Sequence, residues 1–239
     1  MKKILIIIFL FISVLTAYTQ EKFKEVNTAE DVIDNYVTAI GGAEKIREIK
    51  SETLTGALNV QGMEIGFMAF RNDTMSYINA EGTAHGTNMI LLKSLTTNTF
   101  GWEYQMSGLR DYEGDELLKK QLELITGNIS FILNYKSKGY EFELKGTDTL
   151  NGKLCYKLEL LKDGKIVRTN YYDQESFFLK EYFTSNDTRI EFNDYREVSG
   201  VYRPFKYIQK SPMELTIVFK EYIFNKMIEP ELLSKPAEK

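Results

Sequence analysis

The chain has 239 residues, with 30 Lys and Arg against 34 Asp and Glu, and this mildly acidic balance holds no basic cluster or stripe that would mark a nucleic-acid partner. One His, His85, and one Cys, Cys155, exclude zinc patterns built from several such ligands and any internal disulfide within one chain. A phosphate-cradling glycine motif and a Gly-x-Ser-x-Gly elbow are both missing, so nucleotide-binding and hydrolase signatures are excluded as well.

The first segment sets the compartment. Lys2 and Lys3 precede an unbroken apolar run from Ile4 to Ile12, then Val14, Leu15 and the small-residue stretch Thr16-Ala17-Tyr18-Thr19 ahead of Gln20. This is the three-part pattern of a secretory signal peptide, and it predicts cleavage before Gln20, with Ala17 and Thr19 at the minus-three and minus-one positions. A retained anchor is the alternative, but the apolar run is shorter than the roughly 18 to 20 residues that cross a bilayer. No later segment reads as a span. Residues 1–19 are therefore assigned to the signal and 20–239 to a single domain, whose net charge falls from −4 to −6 as Lys2 and Lys3 are lost. With no Cys at the cleavage point for a lipid anchor, the expected location is the periplasm in soluble form, with secretion as the other outcome.

Thr28 to Ile40 is predicted as a helix. Thr28 caps it, Glu30 and Asp31 sit in its first turn, and Val32, Ile33, Tyr36, Val37 and Ile40 make one apolar face before Gly41-Gly42 ends it. A second short helix follows over Ala43 to Ile49. Strands are expected over Leu54 to Val60, Met63 to Ala69 and Met75 to Ala80, with turns at Gln61-Gly62 and Arg71-Asn72-Asp73. Glu81 to Gly86 reads as a loop holding His85, followed by strand pieces at Met89 to Leu92 and Thr97 to Tyr104.

The period then changes. Leu117, Leu118, Leu122 and Ile125 recur at helical spacing over Gly114 to Ile125, with a shorter helix or turn over Ile129 to Tyr135, and this insertion is expected to pack on the concave side of a curved sheet. From Tyr140 onward the chain reads as an antiparallel meander punctuated by Asn151-Gly152, Asp163-Gly164, Ser199-Gly200 and Ser211-Pro212. Cys155 falls in the alternating segment Leu154 to Leu158, as a buried small hydrophobe. The tail from Lys226 to Lys239 is expected to lie along the domain edge with little structure. The fold class is mainly β (α+β): a curved antiparallel sheet, as an open half-barrel or a nearly closed one, covered by helices.

No catalytic, cofactor-binding or metal-ligating set emerges. Asp111, Glu113, Asp115 and Glu116 cluster, as do Asp187, Glu191 and Asp194, but both groups fit a helix start and solvated loops, without calcium-loop spacing or a demonstrated carboxylate pair. His85 in its loop has no nucleophile motif around it. The positive signal is apolar. Helix residues Val32, Tyr36, Val37 and Ile40, with Leu118 and Leu122, are expected to cover a sheet lined by Leu58, Met63, Ile65, Phe67, Phe142, Tyr156, Phe192 and Phe219. That set is either an ordinary core or an incompletely filled cavity for a lipophilic molecule.

The run Asp31 to Gly42, followed by Glu44-Lys45-Ile46 and Ile49-Lys50-Ser51, resembles the N-terminus of bacterial outer-membrane lipoprotein-sorting-like proteins, relatives of the periplasmic lipoprotein carrier and its outer-membrane receptor. The resemblance continues through Gly62-Met63-Glu64-Ile65, Gly101-Trp102, Tyr172-Asp173, Asp194-Tyr195-Arg196-Glu197-Val198, Gly200 and Pro204-Phe205. It implies an unclosed antiparallel barrel with helices as a lid over an apolar cavity, and a diderm bacterial source. It also implies a non-enzymatic role in binding or carrying a lipoprotein acyl chain or another lipid, without a cofactor. The chain lacks the lipid-anchor Cys of the receptor type, and none of its residues matches a carrier-specific arginine. A non-catalytic structural module that binds an envelope protein partner is the alternative.

Overall fold

The computed structural model describes residues 23–236, except 61–62, 85–86, 185–187 and 211–213. The expected signal segment, its cleavage point, His85 and Asp187 lie outside the described residues. Helix α1 (Ala29–Ala39) starts where the sequence places its cap: Thr28 Oγ1 accepts from the Asp31 amide at 3.2 Å, and Asp31 Oδ2 accepts from the Thr28 amide at 2.8 Å. Buried Asn35 pins the preceding segment, exchanging two 2.8 Å hydrogen bonds with the backbone of Lys24. The helix ends at Gly41 and Gly42, whose φ values of 124° and 92° suit glycine, and α2 (Ala43–Glu48) follows.

Six strands then run outward in chain order: β1 (Ser51–Val60), β2 (Met63–Asn72), β3 (Met75–Ala84), β4 (Thr87–Thr97), β5 (Gly101–Gln105) and β6 (Gly108–Asp111). Helices α3 (Gly114–Gly127) and α4 (Phe131–Asn134) intervene. The chain returns through β7 (Tyr140–Leu150), β8 (Lys153–Lys162), β9 (Lys165–Asp173), β10 (Leu179–Thr184), β11 (Arg189–Val198), β12 (Val201–Lys210) and β13 (Glu214–Phe224). All belong to one sheet of 13 strands in the order β6-β5-β4-β3-β2-β1-β13-β12-β11-β10-β9-β8-β7. Its strand pairs are antiparallel and its two edges, β6 and β7, are consecutive in the chain, joined by the helical insertion instead of by backbone pairing. The sheet is therefore an open half-barrel, with β6 and β7 as its edges.

Three hairpin turns have positive φ at both central residues, as a two-residue type I′ turn demands: Asn151-Gly152, Asp163-Gly164 and Ser199-Gly200. Register breaks in β1 at Thr55/Gly56, β3 at Ala80/Glu81, β7 at Leu144/Thr147 and β8 at Leu160/Leu161 add local twist, which helps a long sheet wrap. On the helix-covered face, α1 and α4 bury Val32, Ile33, Phe131 and Ile132 against Phe142, Leu158, Leu160 and Tyr172.

Several boundaries differ from expectation. The segment read as a loop from Glu81 continues β3 as far as Ala84, because it pairs with the start of β4. Strand β4 in turn absorbs the piece expected at Met89 to Leu92. The strand expected from Thr97 to Tyr104 is broken, since the Thr97 amide donates to the Phe100 carbonyl at 2.7 Å and closes a turn before β5. The tail is not an unstructured edge. Its 3-10 turn, Pro230–Leu233, brings Leu232 and Leu233, with Ile228, onto buried Phe70, Tyr77, Leu95 and Trp102 on the opposite face of the sheet. Lys235 pairs with Asp111 at 2.5 Å and holds the tail there.

Candidate functional site

Between the helices and the sheet lies a cavity of about 460 Å³, a volume typical of small-molecule sites. Strands from both wings line it. Arg71 of β2, Ser76 and Ile78 of β3, and Ser94 and Thr96 of β4 come from one side; Arg168 and Tyr172 of β9, Tyr182 of β10, Ile190 and Phe192 of β11, and Arg203 and Tyr207 of β12 come from the other. Strands far apart in the sheet order meet around one space only because the sheet is strongly curved. Tyr36 of α1, Leu124 of α3, Ile129, and Phe131 and Ile132 of α4 close the helical side.

Strand alternation selects these side chains. On β3, Ser76 and Ile78 face the cavity, while Met75 and Tyr77 face the cluster under the C-terminal tail. On β11, Asp194 has φ 55° and, with Phe205 opposite it, drops out of the β11–β12 pairing without a shift of register; the positive φ lets Phe192 and Tyr195, three positions apart, both line the cavity. Tyr195 is anchored there by donating to the Leu179 carbonyl at 2.7 Å and by stacking on Phe178, with ring centroids 4.3 Å apart.

Three guanidinium groups give the wall its charge. Arg203 is 7% exposed and lies 2.9 Å from buried Glu52 through its Nε. That contact is electrostatic, since the Nε direction makes no hydrogen bond and the bond itself runs from Nη2 to Glu52 Oε2 at 3.2 Å. Burial works against the Arg203 charge, but Glu52 and the nearby Tyr207 and Tyr222 hydroxyls hold its pKa above the ordinary arginine value. Arg71 and Arg168 act differently. Arg71 donates to the Gly127 carbonyl and Arg168 donates to the Thr126 carbonyl at 3.3 Å, so both meet the C-terminal turn of α3, where unpaired carbonyls carry partial negative charge. Arg168 also lies over the Tyr182 ring, 4.8 Å from its centroid. Burial raises the pKa of Tyr36, Tyr172, Tyr182 and Tyr195, keeping their hydroxyls neutral donors and acceptors.

Of the residues expected to line a cavity, Tyr36 and Phe192 do so. Val32 and Phe142 are buried in the core beneath α1, with Val37, Leu122 and Tyr156 half-buried against it. Ile40 packs with Ile46 and Val201, while Phe219 and half-buried Phe67 belong to a cluster on β1, β2, β12 and β13. Ile65 is buried and Leu58, its partner in register, is half-buried. Leu118 stands 64% exposed on α3 and faces solvent instead of the interior. The side chain of Met63 lies outside the described residues.

The wall is thus amphipathic where an apolar lining was expected. The lining residues the sequence reading missed include Arg71, Arg168 and Arg203, with Tyr172, Tyr182, Tyr195 and Tyr207. Their signal was phase: Arg71 alternates with Phe67 and Ala69, Arg168 with Tyr172, and Arg203 with Phe205 and Tyr207, so each cation shares the inward face of its strand.

Other candidate chemistry is held in pairs. Glu116 binds Arg110 at 2.7 Å, and Asp194 binds Arg196 at 2.5 Å. Cys155 is fully buried, and burial, followed by the nearby Asp173, pushes its thiol up to about 11, away from nucleophilic reactivity. No group of three or more potential metal ligands occurs among the described residues.

No family model and no curated protein matches the chain. Solved structures do. A LolA superfamily protein from Nitrosomonas europaea is similar at 12% identity and a TM-score of 0.53, covering 88% of this chain and 99% of its own. A putative outer membrane lipoprotein-sorting protein domain from Vibrio parahaemolyticus gives 10% identity and a TM-score of 0.53, over 84% of this chain and 94% of that one. A DUF1329 family protein from Desulfovibrio piger gives 11% identity and a TM-score of 0.51, over 85% of this chain and 96% of the other. At these identities the likeness is one of fold, and the shared architecture is the helix-covered, open antiparallel sheet.

Proposed function

We propose that the chain is a non-catalytic binding or carrier protein of the bacterial envelope, exported and periplasmic, that takes a lipophilic ligand into the cavity between its helices and its sheet. The observation that carries this reading is the cavity itself, about 460 Å³ inside an open half-barrel and lined from both wings. A filled core would leave no such space, because protein interiors pack closely. The fold likeness to a LolA superfamily protein and to a lipoprotein-sorting domain supports a carrier role, and the basic-apolar-small pattern at residues 1–19 supports export. An acyl chain of a lipidated protein or a free lipid is the ligand class this reading favours.

Native mass spectrometry of the protein purified from the periplasm of a diderm host, paired with lipid extraction, tests it. A reproducible adduct whose mass returns in the extract is expected. A clean apo mass that persists after incubation with phospholipid and with an acylated peptide would sink the carrier reading and favour the module that binds an envelope protein partner.

A further inference from the structure

We infer that Arg71 and Arg168 form a receptor for an oxyanion inside the cavity, so that the molecule bound there is an amphiphile with a carboxylate or phosphate head. The inference rests on the reading of the cavity as a ligand site and specifies the ligand's chemistry. Its basis is a charge imbalance. Arg203 is neutralised by Glu52 at 2.9 Å, whereas neither Arg71 nor Arg168 has a carboxylate within ion-pair distance among the described residues. The one acid that lines the cavity among the described residues, Glu123, is paired with Lys120 at 3.2 Å, and Lys119 adds further positive charge to the lining. A cavity with low-dielectric walls strengthens the field of cations left in this state.

Capping the C-terminal turn of α3 accounts for only part of each guanidinium. Each has five N–H donors in a fixed fork, and one contact to a helix carbonyl uses one of them. Arg168 Nε is buried with no hydrogen-bond partner, a costly condition unless a ligand completes it. The two side chains come from opposite wings of the sheet and converge on successive carbonyls, Thr126 and Gly127, so both forks stand at one place in the wall. Arginine forks match the paired oxygens of carboxylate and phosphate. Ile78, Leu179, Ile190 and Phe192 in the same wall supply the apolar surface for a tail.

The test measures, by isothermal titration of the chain without residues 1–19, the affinity for dodecanoate, for dodecanol and for inorganic phosphate, each below any micelle concentration. Dodecanoate is expected to bind about tenfold or more tightly than dodecanol, and to lose about that factor in Arg168→Gln. Arg168→Lys, which keeps the charge without the fork, is expected to recover part of the loss. Arg71→Gln gives an independent arm if Arg168→Gln does not fold, with thermal melts as the control. Equal affinity for dodecanoate and dodecanol overturns the oxyanion receptor and leaves the lipophile reading in place. Arginine-dependent binding of phosphate, with no gain from a tail, upholds the receptor but assigns it to a free anion and sinks the lipophile reading. No binding by any probe overturns both.

Discussion

Glu52 and Arg203 form the ion pair with both members most deeply buried among the described residues. Glu52 is 2% exposed on β1, and Arg203 enters from β12. Two ions taken out of water lose solvation that their attraction only partly restores, and removing one partner strands the other. Glu52→Ala is therefore expected to destabilise the fold by about 3–5 kcal/mol. The double variant Glu52→Leu with Arg203→Met is expected to recover most of that loss, because two apolar side chains replace the pair. Urea unfolding of the single and double variants decides it. A double variant no more stable than the single one would mean the pair is more than a mutually compensated burial. At this scale the sequence was legible where chemistry is local. The burial of Cys155 followed from its alternating neighbours, and the Thr28 cap from its place just before an acidic first turn. The Glu52–Arg203 pair was not, because its members are 151 positions apart and either alone resembles a surface charge.

The elements were readable for related reasons, and their ends were less so. Helix α1 carries cap, face and stop signals between Thr28 and Gly42, and the turns at 151–152, 163–164 and 199–200 each end on a glycine that takes positive φ freely. Strand ends near 84 and 97 carry no such marks, so pairing across the sheet moved them. The Gly41-Gly42 stop had a further cause that one element cannot reveal. A Cβ at Gly41 would overlap the carbonyl of Gly200 in the β11–β12 turn, whereas one at Gly42 would meet nothing within 4 Å. The Tyr202 amide, which donates to the Ile40 carbonyl at 2.9 Å, holds the same approach together. Gly42→Ala should thus cost only its backbone strain, about 1–3 kcal/mol. Gly41→Ala should cost about 1–3 kcal/mol more, from the overlap. Thermal denaturation of the two variants measures the difference, and equal losses would remove the close approach as the reason for the first glycine.

At the scale of the whole molecule, a hairpin run and helical insertions predict a curved sheet under helices, but they do not say which face of each strand turns inward. On β2 to β5 a large aromatic set, Phe70, Tyr77 and Trp102, faces away from the cavity, and the tail buries it. Apolar character alone would have pointed those residues inward and would have left Arg71, Ser76, Ser94 and Thr96 for solvent. The tail reverses that expectation by giving the outer face a cover of its own, and this leaves the polar phase of the strands to line the cavity. The cover of the outer face therefore depends on Ile228, Leu232 and Leu233 reaching across to an aromatic cluster far from them in sequence. Trp102, the only tryptophan, is 1% exposed there and reports directly on the cover. Leu232→Ser with Leu233→Ser is expected to loosen the tail, admit water to the indole and shift its fluorescence emission to longer wavelength. Far-UV circular dichroism should stay that of a sheet protein, because the 13-strand pairing does not include the tail. Emission unchanged in the folded double variant would mean that sheet curvature alone shields Trp102, and the tail would lose its role in setting which face of these strands looks into the cavity.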